Sequence, residues 1–184
     1  MTCTVGVVEN GVVWMGADAF SGNEYIYSRS ALPKVFTQQG VLFGIAGDWR
    51  GGLLLQSLEM PAHPEGMPPE QYVGQLLVAA MRDHFREHGF LQEVNAQQQT
   101  EDLVLLIGYQ GRLFALWQQF QLTESAEGYE AIGSGMFVAT GALYAARQVG
   151  MPAAEQIHMA LTAACAHSPF VRPPFRVLNE RGYG

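Results

Sequence analysis

The chain has 184 residues, 48% of them apolar and 15% charged, with a net charge of −7 and only ten Lys and Arg in total. That is one globular domain's worth of chain, with a composition on the apolar side that suits a subunit hiding surface in an oligomer. The acidic balance, with no basic run, argues against a nucleic-acid partner. Apolar runs such as Leu103 to Ile107 are too short to span a bilayer. The first residues, Met-Thr-Cys-Thr, lack the basic flank and apolar stretch of a secretory leader, so a cytoplasmic protein is expected.

In chain order, residues 3–9 alternate weakly and end at Asn10-Gly11, a strong hairpin signal between apolar runs. Residues 12–18 form the return strand, whose end delivers Asp18 back beside Thr2. Residues 19–31 are small and polar and read as a loop. Lys34 to Gln38 and Val41 to Ala46 form a second hairpin across Gln39-Gly40. Asp48 is a candidate N-cap for a short helix. Pro68-Pro69-Glu70 opens the next one, with Tyr72, Val73, Leu76, Leu77, Ala80, Met81 and Phe85 at helical spacing and Gly89 as the stop. Residues 95–100 read as a Gln-rich loop. Leu103 to Tyr109 and Arg112 to Trp117 make a third hairpin, and further short strands follow to Ile132. Residues 136–149 read as a helix ending at Gly150. Pro152 starts another, with Ile157, Leu161 and Ala164 on one face, and a short tail follows.

Grouped strands and grouped helices point to layered α and β rather than alternating βαβ units. Cys3 and Cys165 show no metal spacing and read as reduced, mostly buried thiols, with Cys3 facing away from Thr2 on its strand. His63, His84, His88 and His158 do not cluster as metal ligands and read as surface residues, so neither a metal nor a cofactor is expected.

The stretch MTCTVGVVENGVVWMGADAFSGNEYIYSRSALPKVF concentrates the chemistry. With Met1 removed, Thr2 carries a hydroxyl and a free α-amino group on one residue, a nucleophile with its base attached. Taken singly, Thr2 is a small residue after an initiator Met, Asp18 a turn residue and Lys34 a solvated edge lysine. Taken together, this stretch resembles the N-terminal-nucleophile hydrolases of the proteasome β-subunit and HslV type. Thr2, Asp18 and Lys34 fall at that family's spacing without a gap. Gly44 to Asp48 (GIAGD) and Ala131 to Gly135 (AIGSG) resemble two of its later turns, and the similarity runs to about residue 165.

The resemblance implies an α+β fold, a four-layer αββα sandwich, as a single domain over 1–184. It implies a threonine-type peptidase subunit of a self-compartmentalising homo-oligomeric double ring of six or seven subunits, acting on polypeptide. A separate ATPase partner would have to supply any unfolding, since the sequence has no nucleotide motif. A ring-forming relative with little hydrolysis and a small-molecule amidohydrolase on the same fold are the alternatives. The implied catalytic set is Thr2, Asp18, Lys34, Gly47 and Ser134, the last also readable as a turn or N-cap serine. Ser21, Ser28, Ile45 and Asp48 would line the substrate groove. The match departs near residue 167, where an expected Asp is absent from CAHSPFVRPPF and His167 and Ser168 are the nearest polar side chains.

Overall fold

The computed structural model describes residues 2–22, 25–94, 97–100 and 102–182; Met1, Asn23 and Asn95, which enter the sequence reading, lie outside them. Among the described residues, thirteen strands and five α-helices are arranged in layers. The first sheet has the order β12 (Tyr129–Ile132), β1 (Thr4–Glu9), β2 (Val12–Ala17), β13 (Arg176–Asn179). The second has the order β11 (Leu122–Glu124), β10 (Arg112–Leu116), β9 (Leu103–Tyr109), β6 (Val41–Gly47), β5 (Val35–Gln38). Every pairing in both sheets is antiparallel. Asn10-Gly11, Gln39-Gly40 and Gln110-Gly111 all have positive φ, as two-residue hairpin turns matched to strand twist require.

The alternation along the strands explains the layers, because both faces of each sheet are covered. Val41, Phe43 and Ile45 of β6 and Leu103, Leu105 and Ile107 of β9 face one way, with Leu55, Met81 and Phe85 of α1 (Trp49–Ser57) and α3 (Val78–Glu87). Cys3, Val5 and Val7 of the β1 segment face α4 (Met136–Gln148) and α5 (Ala153–His167). Val13, Met15, Leu42, Leu106 and Leu113 fill the space between the sheets. The result is the expected α+β four-layer αββα sandwich. Burial on both faces is also why residues 3–9 alternate only weakly in polarity.

Glycines set the closest approaches. A Cβ on Gly16 would lie 2.3 Å from Ile157 Cγ2, so α5 sits directly on β2. A Cβ on Gly44 would lie 2.6 Å from Thr4 Cγ2, where the sheets meet beside the N-terminus.

Several expectations need correction. The 19–31 loop contains a small hairpin, β3 (Phe20–Gly22) with β4 (Tyr27–Arg29). Within the Gln-rich segment, β8 (Gln97–Thr100) pairs with β7 (Leu91–Val94). The second helical segment begins as α2 (Pro69–Gln71) and passes through a π-helical stretch, Tyr72–Leu77, before α3. The tail supplies β13, which covers the open edge of β2. His63 is not a free surface residue: it is half-buried, stacks on Tyr72 with ring centroids 4.6 Å apart, and bonds Tyr109 and Met67. His84 is also half-buried and contacts Leu54 O at 3.0 Å.

Gly44→Ala should destabilise the fold by roughly 1–3 kcal/mol, the usual cost of forcing extra volume into a packed core. Chemical denaturation checks this; an unchanged midpoint would show that the sheets do not meet there.

Candidate active site

The β1–β2 register pairs Thr4 with Ala17, which brings the next residue of the return strand, Asp18, beside Cys3. The Asp18 N–H donates to Cys3 O at 3.2 Å, and the Cys3 N–H donates to Asp18 Oδ1 at 3.0 Å. Lys34, just before β5, donates its ammonium to the same Oδ1 at 2.8 Å. The second oxygen, Oδ2, accepts the N–H of Phe20 at 2.9 Å and the N–H of Arg172 at 3.2 Å. Asp18 and Lys34 are only 3% and 4% exposed. A buried ion pair is tolerated when its remaining hydrogen-bonding capacity is filled, and here four donors fill the carboxylate.

Burial pushes the Lys34 ammonium below its ordinary pKa, and Asp18 opposes that shift. The ammonium also lies 5.8 Å from the centroid of the Trp49 ring. Burial, reinforced by Asp18, pushes the Cys3 thiol up to about 12. A thiol held that high is inert as a nucleophile.

Thr2 is fixed from the other side by the turn between β12 and α4. Its N–H donates to Ser134 Oγ at 3.2 Å, and its carbonyl accepts from the Ser134 hydroxyl and the Gly135 N–H, each at 3.2 Å. Ser134 therefore does not cap α4; Gly135 occupies the N-cap position. A Cβ at Gly133 would lie 2.4 Å from Thr2 O, so the turn closes onto the N-terminus only with glycine there.

Thr2, Gly47 and Ser134 line one cleft of about 300 Å³. That is the low end of the range for ligand sites, about 300–1,000 Å³. Thr2 itself is only 3% exposed, so its side chain is recessed. Gly47 has φ +103, and a Cβ there would fall 1.5 Å from Asp102 O. The glycine is thus demanded by the Asp102 carbonyl crossing over it, which also accepts the Asp48 N–H at 3.0 Å.

Ser21, Ser28, Ile45 and Asp48, the four expected groove residues, have the following places in the structure. Ser21 and Ser28 are cross-strand partners in the β3–β4 hairpin, with Ser28 donating to Ser21 O at 2.9 Å. Ile45 points into the core under α1, where a Cβ on Gly52 would meet its Cδ1 at 2.5 Å. Asp48 caps α1 by accepting the Arg50 N–H at 2.6 Å. None of the four lines the Thr2 cleft. Its other walls come from Asp102, Val104, Trp117 and Met136, which no sequence motif marks.

No family model and no curated protein matches the chain. Solved structures do. BPH from Thiobacillus denitrificans, in complex with epoxomicin, superposes with a TM-score of 0.81 at 17% identity, covering 96% of this chain and 97% of that one. HslV from Trypanosoma brucei gives 0.70 at 20% identity over 96% and 98%. Anbu, the ancestral β-subunit from Yersinia bercovieri, gives 0.65 at 14% over 96% and 81%. The chain has the proteasome-type fold that these structures share.

On this proteasome-type fold the segment after α5 reaches the site through its backbone. His167 is exposed, and Ser168 Oγ accepts the Phe170 N–H at 3.2 Å. The Arg172 N–H on Asp18 is the segment's contribution, and a sequence motif cannot mark a main-chain donor. The Arg172 guanidinium turns back onto Ser168 O and Val171 O. Cys165 is half-buried rather than mostly buried.

Three outcomes are expected. At pH 8 a disulfide reagent should label Cys165 and spare Cys3 until the protein is denatured. Because the folded chain holds the Cys3 proton to about pH 12 against an ordinary value of 9.0, this contribution to stability is intact below 9 and lost as pH climbs through 12. Cys3→Ala should flatten the alkaline loss in pH-dependent melts. Gly47→Ala should destabilise by more than about 2 kcal/mol, because it combines a disfavoured φ with a backbone overlap. Denaturant titration measures it.

Proposed function

We propose that the chain, in a form beginning at Thr2, is the threonine-type peptidase subunit of a proteasome-like ring. The observation that carries this reading is the buried Asp18–Lys34 pair bonded to the residue next to Thr2, with Ser134 Oγ on the Thr2 nitrogen. In such a chain that nitrogen is the α-amino group, whose ordinary pKa of about 7.7–8.0 suits a base near neutrality. It takes the proton of the Thr2 hydroxyl as Oγ1 attacks the substrate carbonyl. The Lys34 charge lowers the amine's pKa and favours the developing alkoxide. Asp18 holds Lys34 and balances its charge. The Gly47 N–H serves the tetrahedral oxyanion. Collapse releases the amine product and leaves an ester on Thr2, which water then cleaves.

A homo-oligomeric double ring accompanies this reading. The α4 face exposes Phe137 and Tyr144 at 81% and 58%, and Val149 just beyond is 75% exposed. Exposed apolar residues on one helix face suit a contact with a second subunit. None of the described helices is long and apolar enough to cross a membrane.

The absence of a carboxylate from the 167–172 segment favours, as a second reading, a ring subunit with little hydrolysis. Incubation of protein beginning at Thr2 with epoxomicin, followed by intact mass, separates the two. A one-to-one adduct lost in Thr2→Ala supports the peptidase; no adduct on folded protein removes it. Thr2→Ala should keep the fold, because the bonds from Thr2 to Ser134 and Gly135 are main-chain. Light scattering at micromolar concentration should give a ring mass, and a monomer would contradict the assembly. Turnover of small amides but not peptides would assign an amidohydrolase instead.

A further inference from the structure

The cleft beside Thr2 has a one-sided chemistry. Val104 and Met136 give it apolar walls, and Trp117 adds an indole. The indole is anchored: its Nε1–H donates to Thr123 Oγ1 at 3.4 Å, and the Trp117 backbone N–H donates to Gln121 O at 2.9 Å. The only charged residue lining the cleft among the described residues is Asp102. Asp102 is exposed, has φ +46 just before β9, and its carbonyl accepts the Asp48 N–H at 3.0 Å. Its carboxylate has no hydrogen-bond or ion-pair partner among the described residues. The buried Lys34 does not line the cleft and is ion-paired to Asp18 at 2.8 Å.

Resting on the peptidase reading, we propose that this cleft selects peptides that place a lysine or arginine side chain beside Thr2. An aliphatic stem lies along Val104 and Met136, as long basic side chains do on apolar surface. The cationic end meets the Asp102 carboxylate and the Trp117 ring, whose quadrupole attracts a cation. A leucine side chain gains the apolar contact alone. A glutamate side chain gains neither and is repelled by Asp102. Recognition therefore rests on an acid and an aromatic ring that come from β9 and β10 ends far from Thr2 in sequence.

The test is equilibrium binding, so it does not depend on turnover. Three matched pentapeptide amides, alanine throughout except for a central Lys, Leu or Glu, are titrated into protein beginning at Thr2. The Lys peptide should bind about tenfold more tightly than the Glu peptide, with Leu between them. The gap should narrow as salt rises, since the ion pair is exposed. Asp102→Asn, an asparagine that tolerates the same positive φ, should close most of the gap by weakening the Lys peptide and relieving the repulsion of the Glu peptide. Equal binding of Lys and Glu, no binding of any peptide, or a gap that persists in Asp102→Asn would each overturn the proposal. Selective Lys binding in a protein that epoxomicin does not label would leave this selectivity standing and remove the peptidase reading alone.

Discussion

Everything at the N-terminal end of this molecule is arranged around one buried carboxylate. Asp18 receives a main-chain N–H from Cys3, another from Phe20, a third from Arg172 and the ammonium of Lys34. Those donors come from the start of β1, the start of β3, the segment after α5 and the start of β5. A charge buried this deeply is tolerable only when it is paired and bonded, so these segments must converge for the fold to be stable. The same convergence sets Thr2 at the mouth between the sheets. Stability and site geometry thus share one interaction.

The layers explain why the site lies where it does. The sheets close on each other through Gly44 and Thr4, and α5 closes on β2 through Gly16. The Thr4 hydroxyl donates to Ile45 O at 2.8 Å, stitching the sheets one residue pair behind Thr2. Gly47 and Gly133 then let two backbone segments, around Asp102 and Thr2, pass at distances no side chain would allow. The cleft is the space left beside these crossings, walled further by Val104, Trp117 and Met136.

What could be read from the sequence follows from how local each feature is. The hairpin through Asn10-Gly11 is local, and it alone predicts that Asp18 returns beside the first strand. Asp48 as a helix cap and the apolar face around Met81 and Phe85 are equally local. The relation of Lys34 to Asp18 came from the family resemblance. The β13 strand has no periodicity of its own and exists because β2 offers it an edge. Arg172 acts through its peptide N–H, so its residue type carries no signal. Asp102, Trp117 and Met136 meet only when the second sheet and α4 are in place. Ser21 and Ser28 pair across a hairpin, the Ile45 side chain packs in the core and Asp48 caps α1, and none of these places is marked by the motif positions that single the residues out.

The central claim is that Asp18 and Lys34 form one energetic unit, and a double-mutant cycle of Lys34→Met and Asp18→Asn in denaturant melts tests it most directly. Asp18→Asn should cost more than Lys34→Met, because an amide NH2 would face main-chain donors that the carboxylate now accepts. The double variant should lose less stability than the sum of the single losses, with a coupling of about 1–3 kcal/mol. Additive losses would show that the pair does not interact, and the account of the site built on it would fall.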